Sequence, residues 1–258
     1  MKNNFIDTDK KGTVILTHYR SGGTQLRHII DSFLEVHNIA SVNVGEIDLD
    51  LEDTDFYDEL FCTFFEDSNS DYKVIQLNNP LVISFIYFSS LFKKLNEQYH
   101  IVHLEREDHA KCLLSLPLWE KFIQEGYYEL DEWDSKTMET FHNKYKQNPI
   151  RYTELYTGLH SQYNPTDGIS YTNYIVMTFV NILLKNRSIA DQLNIHSFFY
   201  EQYEEYSENF FKINFDTDNK EFLNKVKHTY KRKIPYLTNK YVEYFDQDVK
   251  DAISNWNL

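Results

Sequence analysis

The chain reads as an α/β protein with a central, mainly parallel sheet flanked by helices. Three observations predict this. Short β-branched and apolar runs alternate with helical patterns across the first half, the signature of βαβ units. Turn residues punctuate the passages from strand to helix. The final third, after one late strand, carries helical patterns alone. With 258 residues, 41% of them apolar, the chain can bury a substantial core.

The first strand is "TVILTH", residues 13–18, a buried apolar run that stops at a turn. A helix over 22–37 follows, with Leu26, Ile29, Ile30 and Phe33 on one face. "IASVNVGE" is the second strand, ending at Gly45–Glu46. The acidic stretch after it turns helical in its second half. "YKVIQLN" is the third strand, and Pro80 opens the next helix from the tolerated first turn. "YHIVHLE" is the fourth strand, followed by the helix "DHAKCLLSLPLWEKFIQE", which Pro117 should kink. Residues 127–165 are aromatic and charged, with helices expected over 132–146 and 149–160. A long helix near 168–187 leads to a fifth strand, "IHSFFYE". Helices over 202–211, 217–230 and 238–255 complete the chain. No internal repeat or low-complexity linker appears, so the expectation is one domain, 1–258, with an elaborated middle.

A net charge of −14 argues against a general nucleic-acid binder but leaves room for a local basic pocket. Cys62 and Cys112 sit in apolar helical contexts with no metal or disulfide spacing, and are expected as buried thiols. The start "MKNNFIDTDKKG" has no apolar core, and no window reaches the ~18 apolar residues of a membrane span. A cytoplasmic location is the expectation.

Only seven glycines occur, and two adjoin in the loop after the first strand, "YRSGGTQ". In sheets of this kind ligands bind beyond the carboxyl ends of the strands. Gly22 and Gly23 let backbone N–H groups converge on an anion, and the helix start adds more N–H groups and partial positive charge. Ser21 and Thr24 offer hydroxyls; Arg20 offers a planar cation. The bland alternative is an ordinary turn with Thr24 as helix cap and Arg20 in solvent. The Walker pattern G-x-x-x-x-G-K-[ST] and the Rossmann G-x-G-x-x-G are both absent.

"ILTHYRSGGTQL" resembles the 5′-phosphosulfate loop of the sulfotransferases, a strand, then [RK]-S-G-[TS]-T, then a helix. These enzymes use PAPS (3′-phosphoadenosine 5′-phosphosulfate) on a P-loop-like fold that lacks the Walker lysine. The resemblance implies that Arg20, Ser21, Gly22, Gly23, Thr24 and Gln25 cradle the 5′ end. Gly23 departs from the family, which more often carries Thr or Ser there. "HIVHLEREDHAKCLLSLPLW" resembles the 3′-phosphate segment, with Arg106 at a strand end and Ser115 nine residues on; an Arg in that place can also be a solvated strand end. Looser likenesses are "FFYEQYEEYSENFFKI", with Tyr200 and Glu201 in register with the family's Y-E-D-L. Another is the basic cluster Lys231, Arg232 and Lys233, which could equally cap a helix C-terminus. The R-K-G-x-x-G element is missing. Carbohydrate-type and bacterial members are the nearer likeness.

Sulfuryl transfer is governed by positioning and electrostatics, as phosphoryl transfer is, and needs no metal because the group carries less charge. Arg20 is the expected cation at the leaving oxygens. The acceptor hydroxyl needs a base within hydrogen-bond reach. Glu46, about two dozen residues past the loop, is where glycan-type members place theirs; after the third strand the chain offers Asn78 and Asn79 rather than histidine. A glycan or other hydroxylated metabolite is the expected acceptor. Two alternatives stay open: a non-catalytic binding module using the aromatic middle, and a nucleoside or nucleotide kinase, which the missing lysine disfavours.

Overall fold

A computed structural model describes residues 9–18, 21–48, 59, 62, 71–78, 85–110, 112–113, 124–125, 135–150, 168, 170–195, 197–201, 220–221, 224 and 241–255. Five parallel strands form one sheet: β1 (Gly12–Thr17), β2 (Ser41–Asp48), β3 (Tyr72–Asn78), β4 (His100–Glu105) and β5 (Ser197–Phe199), in the order β2-β3-β1-β4-β5. Among the described residues five helices accompany them: α1 (Gly23–Val36), α2 (Phe85–Gln98), α3 (Ser135–Gln147), α4 (Tyr171–Gln192) and α5 (Gln247–Asn255).

β1 and β3 are buried along their whole length, as strands covered on both faces must be. Alternation then sorts their side chains. Ile15, Val74, Val102 and Leu104 meet Leu26, Ile29, Ile30 and Leu34 of α1. Val14, Leu16, Ile75, Leu77 and Ile101 meet Leu91, Phe92 and Leu95 of α2 and Ile189 of α4 on the other face. At roughly 1.5–3 kcal/mol for each fully buried large aliphatic or aromatic side chain, these two layers hold the sheet.

The chain divides into two compact units. Met1–Glu107 with Ile182–Tyr230 carries the whole sheet. Asp108–Asn181 with Lys231–Leu258 is the second unit. Within it Phe141, Tyr145 and Tyr244 pack as a ring cluster, Tyr244 OH meets His142 Nδ1 at 3.0 Å, and Tyr145 hydrogen-bonds Glu125.

Two expectations need correction. The helix expected over 238–255 is a 3₁₀ turn, Tyr241–Tyr244, then a break, then α5. Phe245 pairs with Ile150 as a β-bridge, and Asp246 Oδ1 accepts from Val249 N–H at 3.3 Å to start α5. A long-range backbone pair and a local cap thus outweigh helical periodicity. Cys62 is exposed, where a buried thiol was expected; Cys112 is buried, and both are unbridged. Pro80, Pro117, the helix expected over 202–211 and residues 151–160 of the helix expected over 149–160 lie outside the described residues; Ile150, at the start of the latter, is in the β-bridge. No described helix is long and apolar enough to cross a membrane.

Candidate functional site at the carboxyl edge of the sheet

The chain leaves β1 toward β2 and leaves β4 toward β5, in opposite directions along the sheet. Neighbouring strands whose connections diverge open a crevice beyond their carboxyl ends. β1 and β4 are such neighbours, paired through Leu16↔His103. The glycine loop leaves the first strand and Arg106 follows the last residue of the second.

The loop is a tight turn held by its own polar groups. Ser21 N–H donates to His18 O at 3.3 Å and Ser21 Oγ donates to the same carbonyl at 2.8 Å. Thr17 Oγ1 hydrogen-bonds Ser21 Oγ. Ser21 is 1% exposed, and its hydroxyl is engaged within the loop. Gly22 is the α1 N-cap in the left-handed conformation, φ 93° and ψ 17°, which glycine adopts at no steric cost. The N-cap glycine brings no side-chain cap hydrogen bond, and the first turn of α1 holds no acid. The partial positive charge of a helix start favours an anion at such a place. Thr24 was the alternative cap; its Oγ1 instead donates to Glu46 Oε2 at 3.4 Å. Gln25 follows in the first turn, partly exposed.

Gly23 is helical, so its backbone conformation does not demand glycine. Space does. A Cβ there would stand 2.8 Å from Gln76 Nε2 and 3.0 Å from Thr17 Cγ2. Gln76, on β3 beneath the loop, is 3% exposed and donates to Asn78 Oδ1 at 3.2 Å. Asn78 Nδ2 in turn donates to Glu46 Oε1. Glu46 reaches this face because β2 carries a bulge: the pairing with β3 slips between Asn43 and Gly45, setting Glu46 opposite Gln76. Gly45 supports the slip with φ 97°.

Arg106 is 7% exposed, not a solvated strand end. Its Nε lies 3.4 Å from Glu201 Oε1, and its guanidinium stacks 4.9 Å over the Tyr200 ring. Glu201 Oε2 also accepts from Glu107 N–H at 2.9 Å, fixing the turn after β4.

Sequence reading missed two residues on α4. Asn186, fully buried, donates from Nδ2 to Thr17 O at 3.1 Å and so satisfies the last carbonyl of β1. Arg187 Nε donates to both oxygens of the buried Glu105, at 3.1 and 2.9 Å, and Nη2 adds a further bond to Oε1. The hydrogen bond to Glu105 is the main reason the guanidinium pKa is raised. One signal was readable: Asn186 interrupts the apolar face set by Ile182, Leu183, Ile189 and Ala190.

The structure thus brings Ser21, Gly22, Gly23, Thr24, Glu46 and Arg106 to one edge of one unit. Arg20, Ser115, Lys231 and Arg232 lie outside the described residues. No protein-family profile, curated protein or solved structure matches this chain.

Proposed function

We propose that this chain is a PAPS-dependent sulfotransferase that transfers a sulfuryl group to a hydroxyl acceptor, a glycan or other hydroxylated metabolite. The observation that carries the reading is the convergence, at the carboxyl ends of adjacent parallel strands, of a glycine-opened helix start and a buried arginine. In this reading the α1 N-terminus and Arg20 bind the 5′-phosphosulfate. Arg106, with Ser115 and the basic pair Lys231 and Arg232, binds the 3′-phosphate. The donor supplies the activated sulfuryl group. Glu46 takes the proton as the acceptor oxygen bonds to sulfur and the sulfur–oxygen bond to the 5′-phosphate breaks, releasing PAP, the 3′,5′-bisphosphate product. Arg20 offsets the charge that gathers on the leaving oxygens.

One observation favours a second reading, a non-catalytic module on the same fold. The Ser21 hydroxyl and the Arg106 guanidinium are both engaged within the protein, as purely structural groups would be. Calorimetric titration with PAP of the wild type and of Arg106→Ala separates the two. The enzyme reading expects wild-type binding weakened in the variant by about 1.5–3 kcal/mol, the contribution of a charged hydrogen bond. A wild type that does not bind PAP sinks the sulfotransferase reading.

A further inference from the structure

Four contacts close a ring around the start of α1. The Gly23 backbone lies against the Gln76 carboxamide, Gln76 donates to Asn78, Asn78 donates to Glu46, and Thr24 donates to Glu46. Each donor meets an acceptor, and this fixes the amide orientations: a turned Asn78 would face its own oxygen to a carboxylate. Gln76 Oε1 is buried beside the helix start and has no hydrogen-bond partner among the described residues. Gln76 is 3% exposed, and withdrawing its carboxamide would cost the hydrogen bond to Asn78.

We propose that Gln76 is the positioning residue of the anion loop. Its carboxamide stands in the space that a side chain at position 23 would fill, and it backs the first turn of α1. Gly23 and Gln76 form a matched pair: a hydroxyl-bearing residue at 23 has to displace the glutamine carboxamide, and a small residue at 76 removes that clash. The inference rests on the donor-binding reading above for its ligand, and on the packing alone for its pairing.

The test is a double-mutant cycle on the full chain: Gly23→Ser, Gln76→Ala and the combination, each titrated with PAP by calorimetry and melted. Gly23→Ser should weaken PAP binding about tenfold or more, Gln76→Ala about three- to tenfold, and the combination should return to within about threefold of Gln76→Ala. A residue that served only fold stability would move the melting temperature and leave PAP affinity, measured far below melting, unchanged. Losses in affinity that add, or a Gly23→Ser protein that binds PAP as the wild type does, overturn the inference while the donor reading stands. A wild type that does not bind PAP removes the donor reading instead, and the pair is then judged by melting. Recovery of the Gly23→Ser melting temperature on adding Gln76→Ala supports the pairing, and additive losses overturn it.

Discussion

Acidification should weaken the sheet through one side chain, His103. It lies in the middle of β4, fully buried, with Nδ1 2.8 Å from Ser197 Oγ on β5. Loss of water around the ring disfavours the imidazolium; Arg187 works in the same direction, Glu105 and Asp191 against it. Burial prevails, and the pKa falls from 6.5 to about 4. Between those values the unfolded chain binds a proton that the folded chain refuses, so stability rises with pH across that window and is lost as pH falls from 6.5 toward 4. Linkage gives about 2 kcal/mol lost between pH 7.5 and pH 5, and about 3 kcal/mol once pH is below both values. The assay is urea unfolding at pH 7.5 and pH 5 for the wild type and for His103→Asn, whose amide keeps a partner for Ser197 and cannot titrate. The variant is less stable at both pH values for lack of the ring, but its loss on acidification should be smaller by about 2 kcal/mol. Equal losses in the two proteins refute the reasoning, as does a His103 ring resonance that titrates near 6.5.

Two further outcomes follow from the same sheet. Arg187→Ala takes the arginine's hydrogen bonds from the carboxylate of Glu105, which is 2% exposed; breaking a buried pair costs about 3–5 kcal/mol, reduced to about 2–3 because the arginine side chain is 45% exposed. Urea unfolding at pH 7.5 measures it, and an unchanged midpoint would contradict the pairing. Gly45→Ala should cost about 1–2 kcal/mol from the left-handed backbone at φ 97°, because the nearest atom to the new Cβ, Arg27 Nη1, is 3.6 Å away and does not clash. A melting temperature equal to wild type would show that the bulge tolerates a side chain.

Local signals made most of the sheet legible. "YKVIQLN" predicts β3 at the bounds the structure has, because a short run of β-branched and apolar residues between turns admits little else. β2 is displaced by two residues, 41–48 against 39–46, since the bulge at Gly45 lets pairing continue past the glycine that read as its end. The glycine loop was legible because turn chemistry is local. Its partners were not: Asn186 meets Thr17 across 169 positions and Arg187 meets Glu105 across 82. The need for glycine at 23 was hidden for the same reason, being imposed by the β3 side chain Gln76.

The bulge in β2 bears on how this chain can vary. On an edge strand, gain or loss of one residue usually changes only the length of a loop. Here side chains alternate faces, so pairing without the slip between Asn43 and Gly45 would set Glu46 opposite Leu77, on the α2 face, and leave Asn78 without its carboxylate. Deleting the one odd residue, Val44, would restore a regular ladder and keep Glu46 opposite Gln76, so this edge can lose a residue at the slip more safely than it can keep that residue and lose the slip itself.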